Sequence, residues 1–167
     1  MAERALKILF LGAMAVGKSS LIRRYVSGSF SADYKSTLGV QLHEVVIPVP
    51  NGARRAVLWD TDGDAGASIV SSPFARGADA ALIVCDVQRL STVDIALELA
   101  EAMQDILPGR PYVAAINKVD LGRPSEALRA RLADECDTIV ETSAADGTGI
   151  GEALATLVQH VAARGEG

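Results

Sequence analysis

The sequence has few cysteines, no surplus of basic residues and no long apolar run. Its two cysteines, Cys85 and Cys136, have no metal-ligand spacing, so a reduced, cytoplasmic setting is expected. The net charge of -5 at pH 7 argues against broad binding to nucleic acids or anionic membranes, because both depend on excess Lys and Arg. The apolar run within the N-terminal stretch "MAERALKILFLG" is too short for a signal peptide or a membrane span.

Signals for lipid attachment are also lacking. The stretch "HVAARGEG" carries neither a prenylation cysteine nor a polybasic run, and Met1 is followed by Ala2 rather than by the glycine that myristoylation requires. We therefore expect no direct membrane anchor, so that any membrane association would come from a partner protein.

The composition is that of a globular protein, and the pattern along the chain is that of an α/β domain. Hydrophobic residues make up 49% of the 167 residues and charged residues 22%, which predicts one domain over residues 1–167. Apolar runs alternate with segments of helical periodicity, a pattern typical of a largely parallel sheet. Asn51-Gly52 predicts a hairpin and thus one antiparallel pair. The predicted strands cover 6–12, 39–50, 53–60, 78–87, 111–120 and 137–144. The predicted helices cover 17–28, 91–107, 124–135 and 149–163.

A phosphate-binding loop lies between the first strand and the first helix. "GAMAVGKSS" fits the pattern GxxxxGK[ST], in which glycines let backbone N–H groups approach phosphates and the helix N-terminus adds partial positive charge. Lys18 is expected to reach the β and γ phosphates, and the Ser19 hydroxyl is expected to ligate Mg²⁺. Nucleotide contacts are expected here from Ala15, Val16, Gly17, Lys18, Ser19 and Ser20.

The stretch "LWDTDGDAG" places aspartates at alternate positions, Asp60, Asp62 and Asp64. An EF-hand calcium loop starting at Asp60 would need Gly and Glu where Ala65 and Ser71 stand, so that interpretation is disfavoured. The alternative is a DxxG element over residues 60–63, which accompanies a phosphate loop.

A guanine-recognition element follows the fifth predicted strand. The Asp120 carboxylate of "NKVD" can accept the two hydrogens that guanine offers on one edge, a preference on the order of a hundred-fold to ten-thousand-fold. Asn117 is expected to brace the loops, and the Ala144 N–H of "ETSA" to meet guanine O6. Contacts on the base side are expected from Phe30, Asn117, Lys118, Asp120, Ser143, Ala144 and Ala145.

In family order and spacing, "GAMAVGKSSL", "DYKSTLGV", "WDTDG", "SSPFARGADAALIVCDV", "NKVD" and "ETSA" resemble the Ras superfamily of small GTPases, and the Rab-like branch most closely. The resemblance implies a P-loop NTPase with a six-stranded, mostly parallel sheet, one antiparallel edge strand and five flanking helices. It implies GTP/GDP and Mg²⁺ as ligands. Effectors, exchange factors and activating proteins are expected to bind through switch segments around 31–42 and 60–77, with the protein a monomer. The missing anchor and Ala-rich composition favour a bacterial or archaeal member.

The resemblance assigns further roles. Thr37 matches the threonine that closes onto Mg²⁺ and the γ phosphate, and Asp60 matches the residue that holds Mg²⁺ through water. Gly63 matches the glycine whose N–H meets the γ phosphate. The implied metal set is therefore Ser19, Thr37 and Asp60. The residues expected to act in hydrolysis are Lys18, Thr37, Gly63 and Asp64.

Several positions depart from the family pattern. Asp62 and Asp64 replace the Ala and Gln of DTAGQ, Met14 stands in the phosphate loop where small residues are common, and Ala145 replaces a Lys that packs over the base. Asp64 cannot donate a hydrogen bond and repels the triphosphate, so slow hydrolysis is predicted. Alternatively, Asp64 acts as a general base, or Lys35 supplies a cation from the same chain.

Two other functions fit parts of the pattern. A GTP-binding scaffold with negligible turnover shares every binding residue with the switch, and measured phosphate release would separate the two. A P-loop kinase or ATPase is disfavoured by "NKVD" and would require ATP to compete with GTP.

Overall fold

A computed structural model describes residues 3–27, 40–61 and 75–165. These residues form six strands, four α-helices and a short 3-10 helix at Val119–Leu121. The strands are β1 (Leu6–Gly12), β2 (Gln41–Val49), β3 (Gly52–Asp60), β4 (Ala80–Asp86), β5 (Tyr112–Asn117) and β6 (Ile139–Glu141). The α-helices are α1 (Lys18–Ser27), α2 (Ser91–Ile106), α3 (Glu126–Ala133) and α4 (Ile150–Gly165).

The six strands form one mixed sheet in the order β2-β3-β1-β4-β5-β6. β2 runs antiparallel to β3, from Gln41 opposite Asp60 to Val49 opposite Gly52, and every other neighbouring pair is parallel. The prediction of a mostly parallel six-stranded sheet with one antiparallel edge strand is confirmed.

Of the five helices that the resemblance implies, the described residues contain four. Each of the four segments with helical periodicity forms an α-helix, and no further one occurs within 3–27, 40–61 and 75–165. The fifth helix was implied by the resemblance alone, with no apolar periodicity to locate it. Several strands are also shorter than predicted, 139–141 instead of 137–144 for example, because polar residues at their ends turn into loops.

Apolar side chains cover both faces of the sheet, as expected for buried parallel strands. Along β1, alternate residues point to opposite faces. Ile8 and Phe10 belong to one buried cluster, which includes Leu154 of α4. Leu9 belongs to a second buried cluster, which includes Leu97 of α2. The two clusters hold the helices against the sheet from both sides.

The parallel arrangement brings five strand ends to one edge of the sheet, the edge where α/β folds bind ligands. The last residues of these strands are Gly12, Asp60, Asp86, Asn117 and Glu141. Among the helices that the structure describes, none has the length and apolar character needed to cross a membrane.

Candidate functional site

The phosphate loop connects β1 to α1 at this edge, and its backbone has an unusual conformation. Ala15 has a φ of 62° and Gly17 a φ of 102°, values that L-residues other than glycine rarely adopt. A Cβ atom added to Gly17 would lie 2.3 Å from Asn117 Nδ2. Glycine is therefore required at position 17 for both its φ and its close approach to the base-side loop.

Side chains of the "NKVD" segment hold this loop from outside. Asn117 Nδ2 donates to the Val16 carbonyl at 2.8 Å, and Lys118 Nζ donates to the Ala15 carbonyl at 2.7 Å. Asn117 Oδ1 also accepts from Thr142 Oγ1 at 3.0 Å. Asn117 thus joins the phosphate loop to the segment after β6, so the two loops form one site.

Lys18 lies inside the phosphate loop and is only 5% exposed. Its Nζ donates to the Gly12 carbonyl at 2.7 Å. Because a buried ammonium requires acceptors, this position favours an anionic ligand in the loop.

Ser19 and Asp60 meet beside the loop. The Ser19 hydroxyl donates to Asp60 Oδ2, while Asp60 Oδ1 is buried and accepts no hydrogen bond from the residues that the structure describes. Burial raises the pKa of Asp60, and the Ser19 hydrogen bond and the charge of Lys18 oppose that rise. A buried carboxylate oxygen without a donor, next to a hydroxyl, fits the oxygen ligands that Mg²⁺ prefers.

The base-side loop presents Asp120 beside the segment that follows β6. Asp120 is exposed, and one of its carboxylate oxygens accepts from Ser143 Oγ at 2.7 Å. Lys118 has a φ of 70°. Its hydrogen bond to Ala15 therefore joins the two non-glycine residues of positive φ in the described part of the chain. Backbone outliers of this kind cluster at active sites and ligand-binding segments.

The remaining predicted residues have varied positions. Ser20 lies in the first turn of α1, Ala144 is buried after β6, and Ala145 is half-buried in the following turn. Phe30, Thr37, Gly63 and Asp64 lie outside the described residues, as do Lys35 and Asp62.

Asp86 and Arg89 belong to the site but were not predicted. Asp86 ends β4, is 3% exposed, and accepts from Arg89 Nε and from Lys118 Nζ, each at 3.0 Å. One Arg89 Nη atom also donates to the Met14 carbonyl at 3.0 Å. Asp86 could have been identified from the sequence as an acidic residue at the end of a predicted buried strand, which is the signal that also marked "NKVD".

Comparison with known proteins identifies relatives along nearly the whole chain. A model of the Ras family matches residues 7–163. The chain is 32% identical over 170 residues to Ras-related protein RABA5d of Arabidopsis thaliana, covering 95% of this chain and 75% of that protein. It is 33% identical to RABA5e of the same plant with the same coverage. It is 29% identical to GTP-binding protein ypt3 of Schizosaccharomyces pombe, covering 93% of this chain and 75% of ypt3.

Proposed function

Because the chain belongs to the Ras family, and is therefore a GTP-binding switch and GTPase of Rab-like type, we propose that it hydrolyses GTP slowly. We also propose which residues bind the nucleotide. One observation supports the site more than any other: Asn117 bonds both the Val16 carbonyl and the Thr142 hydroxyl, which joins a phosphate-binding loop to a base-binding loop.

At the phosphate end, the chain offers backbone N–H groups, a buried cation and a metal-binding pair. The N–H groups of the loop and the helix N-terminus receive the phosphates, and Lys18 exchanges its Gly12 carbonyl for phosphate oxygens. Ser19 and Thr37, together with Asp60 through water, would hold Mg²⁺. The ion, when bound, neutralises charge on the phosphates.

At the base end, the Asp120 carboxylate selects guanine. Ser143 fixes one carboxylate oxygen, which orients the group without neutralising it. Two charge-assisted hydrogen bonds to guanine N1–H and the exocyclic amine, at roughly 1.5–3 kcal/mol each, separate GTP from ATP.

Slow turnover is inferred from Asp64 and Met14. Phosphoryl transfer depends on the orientation of the attacking water and on stabilisation of charge spread over the γ phosphate. Asp64 adds negative charge at the position where a glutamine would orient that water. Met14 is 38% exposed on the phosphate loop, where its side chain would obstruct an arginine supplied by an activating protein.

Single-turnover hydrolysis by the wild type, Asp64→Gln and Met14→Gly tests this assignment. We expect Asp64→Gln to hydrolyse bound GTP at least about ten-fold faster, which corresponds to a barrier about 1.4 kcal/mol lower. Met14→Gly should respond more strongly than the wild type to an added activating protein. An Asp64→Gln rate no faster than that of the wild type would show that Asp64 does not inhibit the reaction.

A scaffold with negligible turnover is the second candidate, and the two extra carboxylates of Asp62 and Asp64 favour it. Both candidates bind the same nucleotides. If the wild type and Asp64→Gln both release no phosphate, alone or with candidate partners, the scaffold is the correct assignment.

We also propose which segments bind partner proteins and in which compartment the protein acts. Effectors, exchange factors and activating proteins would bind segments 31–42 and 60–77, of which the structure describes 40–42, 60–61 and 75–77. Leu42, 55% exposed at the start of β2, offers an apolar contact there. We expect one G domain over 1–167, acting as a cytoplasmic monomer without nucleic-acid binding. The two free, buried cysteines are consistent with a reducing compartment.

A further inference from the structure

We propose that Arg89 is a positioning residue for the phosphate loop, acting with Asp86 to orient the peptide groups that bind phosphate. The inference rests on the proposed function because it concerns the same nucleotide site. Its basis is a row of three consecutive carbonyls, each bonded by a different side chain. The donors are Arg89 to Met14 at 3.0 Å, Lys118 to Ala15 at 2.7 Å and Asn117 to Val16 at 2.8 Å.

The direction of these carbonyls determines the direction of the N–H groups. In a trans peptide the C=O of one residue and the N–H of the next point in opposite directions, and the described residues contain no cis peptide. Carbonyls 14, 15 and 16 point toward their donors, so the N–H groups of Ala15, Val16 and Gly17 point away from them. Successive backbone N–H groups in a loop of this kind bind anions.

Arg89 is itself fixed in place. Asp86 Oδ2 accepts from Arg89 Nε at 3.0 Å, and Thr92 Oγ1 donates to the Arg89 carbonyl at 2.6 Å. Asp86 Oδ2 also accepts from Lys118 Nζ at 3.0 Å. One buried carboxylate thus anchors two cationic side chains that bind adjacent carbonyls of the phosphate loop.

The Met14–Ala15 peptide has particular need of this support. Ala15 has a φ of 62°, which is sparsely populated for a residue with a Cβ atom. Without the Arg89 donor, this peptide loses its outer hydrogen bond and can rotate toward a less strained conformation. Rotation turns the Ala15 N–H away from the phosphate, which weakens diphosphate and triphosphate binding alike.

The experiment compares Arg89→Ala and Arg89→Lys with the control Arg131→Ala. The two arginines are matched in exposure, because the Arg131 side chain is 42% exposed and the Arg89 side chain 44%. The Arg131 guanidinium pairs with Asp94 and Glu135, which are far from the phosphate loop in sequence. The readouts are the release rate of a fluorescent GDP analogue and the affinities for GDP and for inosine diphosphate, which lacks the exocyclic amine. Thermal unfolding verifies that each variant is folded.

We expect Arg89→Ala to release GDP roughly five- to twenty-fold faster than the wild type. This is the size of effect expected from the loss of one partly exposed, charge-assisted hydrogen bond. Arg89→Lys should recover part of the difference, because an ammonium can bond the Met14 carbonyl but lacks the fork that also engages Asp86. Arg131→Ala should release GDP at the wild-type rate. The ratio of GDP to inosine diphosphate affinity should stay constant in all variants, since Asp120 is unaffected.

Two results would overturn the inference while leaving the proposed function intact. In the first, the wild type binds GDP tightly, but Arg89→Ala releases GDP no faster than Arg131→Ala does. The other is a changed ratio of GDP to inosine diphosphate affinity, which would place the effect of Arg89 at the base. A wild type that binds no guanine nucleotide would instead refute the proposed function and this inference together.

Discussion

Strand β4 (Ala80–Asp86) lies between two buried aspartates that serve different ends of the sheet. Asp79 precedes the strand and Asp86 ends it, and each is 3% exposed. Asp79 accepts from both Arg4 Nη atoms, at 2.6 and 2.8 Å, and from the Lys7 backbone N–H at 2.8 Å. Both ends therefore use the same element, a buried carboxylate that is neutralised by an arginine.

The two ends differ in what the arginine does next. Within the described residues, the Arg4 guanidinium donates to Asp79 and to the neighbouring Ala5 carbonyl, at 3.3 Å, so this pair lies at the edge of the sheet opposite the phosphate loop. Arg89 continues from Asp86 to the Met14 carbonyl in the phosphate loop. The Asp86 pair therefore extends to the phosphate loop, whereas the Asp79 pair, among the described residues, stays at the opposite edge of the sheet.

The largest effect should come from the point where the two functional loops touch. Gly17→Ala places a Cβ atom 2.3 Å from Asn117 Nδ2 at a φ of 102°, so the Asn117 side chain or the loop backbone must shift and the Asn117–Val16 hydrogen bond is disturbed. We expect GDP affinity, measured by calorimetry, to fall about a thousand-fold or more. Gly109→Ala is the matched control, a glycine of φ 78° in the turn before β5, and should bind GDP normally. Equal losses in both variants would indicate general destabilisation.

A smaller effect, confined to base recognition, is expected at Asp120. Asp120→Ala should remove the two charge-assisted hydrogen bonds that we propose hold guanine, so GTP affinity should fall on the order of a hundred-fold to ten-thousand-fold. Affinity for inosine triphosphate should fall less, because that base offers only one of the two hydrogens. Competition titrations measure both, with the exposed Asp134→Ala as control. An unchanged ratio of GTP to inosine triphosphate affinity would contradict the assignment.

The parts of this site differ in how well the sequence predicts them. Motif spacing and strand ends predict that Lys18, Ser19, Asp60 and the "NKVD" segment share one edge, because parallel strands align their carboxyl ends. The contact between Arg89 and Met14 joins residues 75 positions apart, and it depends on β4 lying beside β1. Strand order is set by tertiary packing rather than by any local pattern, so this contact required the structure.

At the amino-terminal end, the expected effect is on stability and not on binding. Asp79→Ala leaves the Lys7 N–H without its carboxylate acceptor and should lower the free energy of unfolding by about 2 kcal/mol, below the 3–5 typical of fully buried pairs. The lower figure reflects Arg4, whose side chain is 68% exposed. Asp86→Ala should instead accelerate GDP release. Urea unfolding at fixed GDP concentration and release kinetics measure the two quantities.

The smallest predicted effect is the pH dependence of the stability difference between the wild type and Asp79→Ala. Burial alone would raise the pKa of Asp79, but hydrogen bonds from Arg4 and from the Lys7 N–H lower it below its ordinary value of 3.8. A carboxylate with a lowered pKa in the folded state stabilises fully above its unfolded pKa and loses that contribution as pH falls through the folded pKa. The gap in unfolding free energy between wild type and Asp79→Ala should therefore be constant from neutral pH down to about pH 5, and should shrink below pH 4. A gap that widens with acid would mean that the Asp79 carboxyl is held protonated, which would make the amino-terminal pair a different element from the one at Asp86.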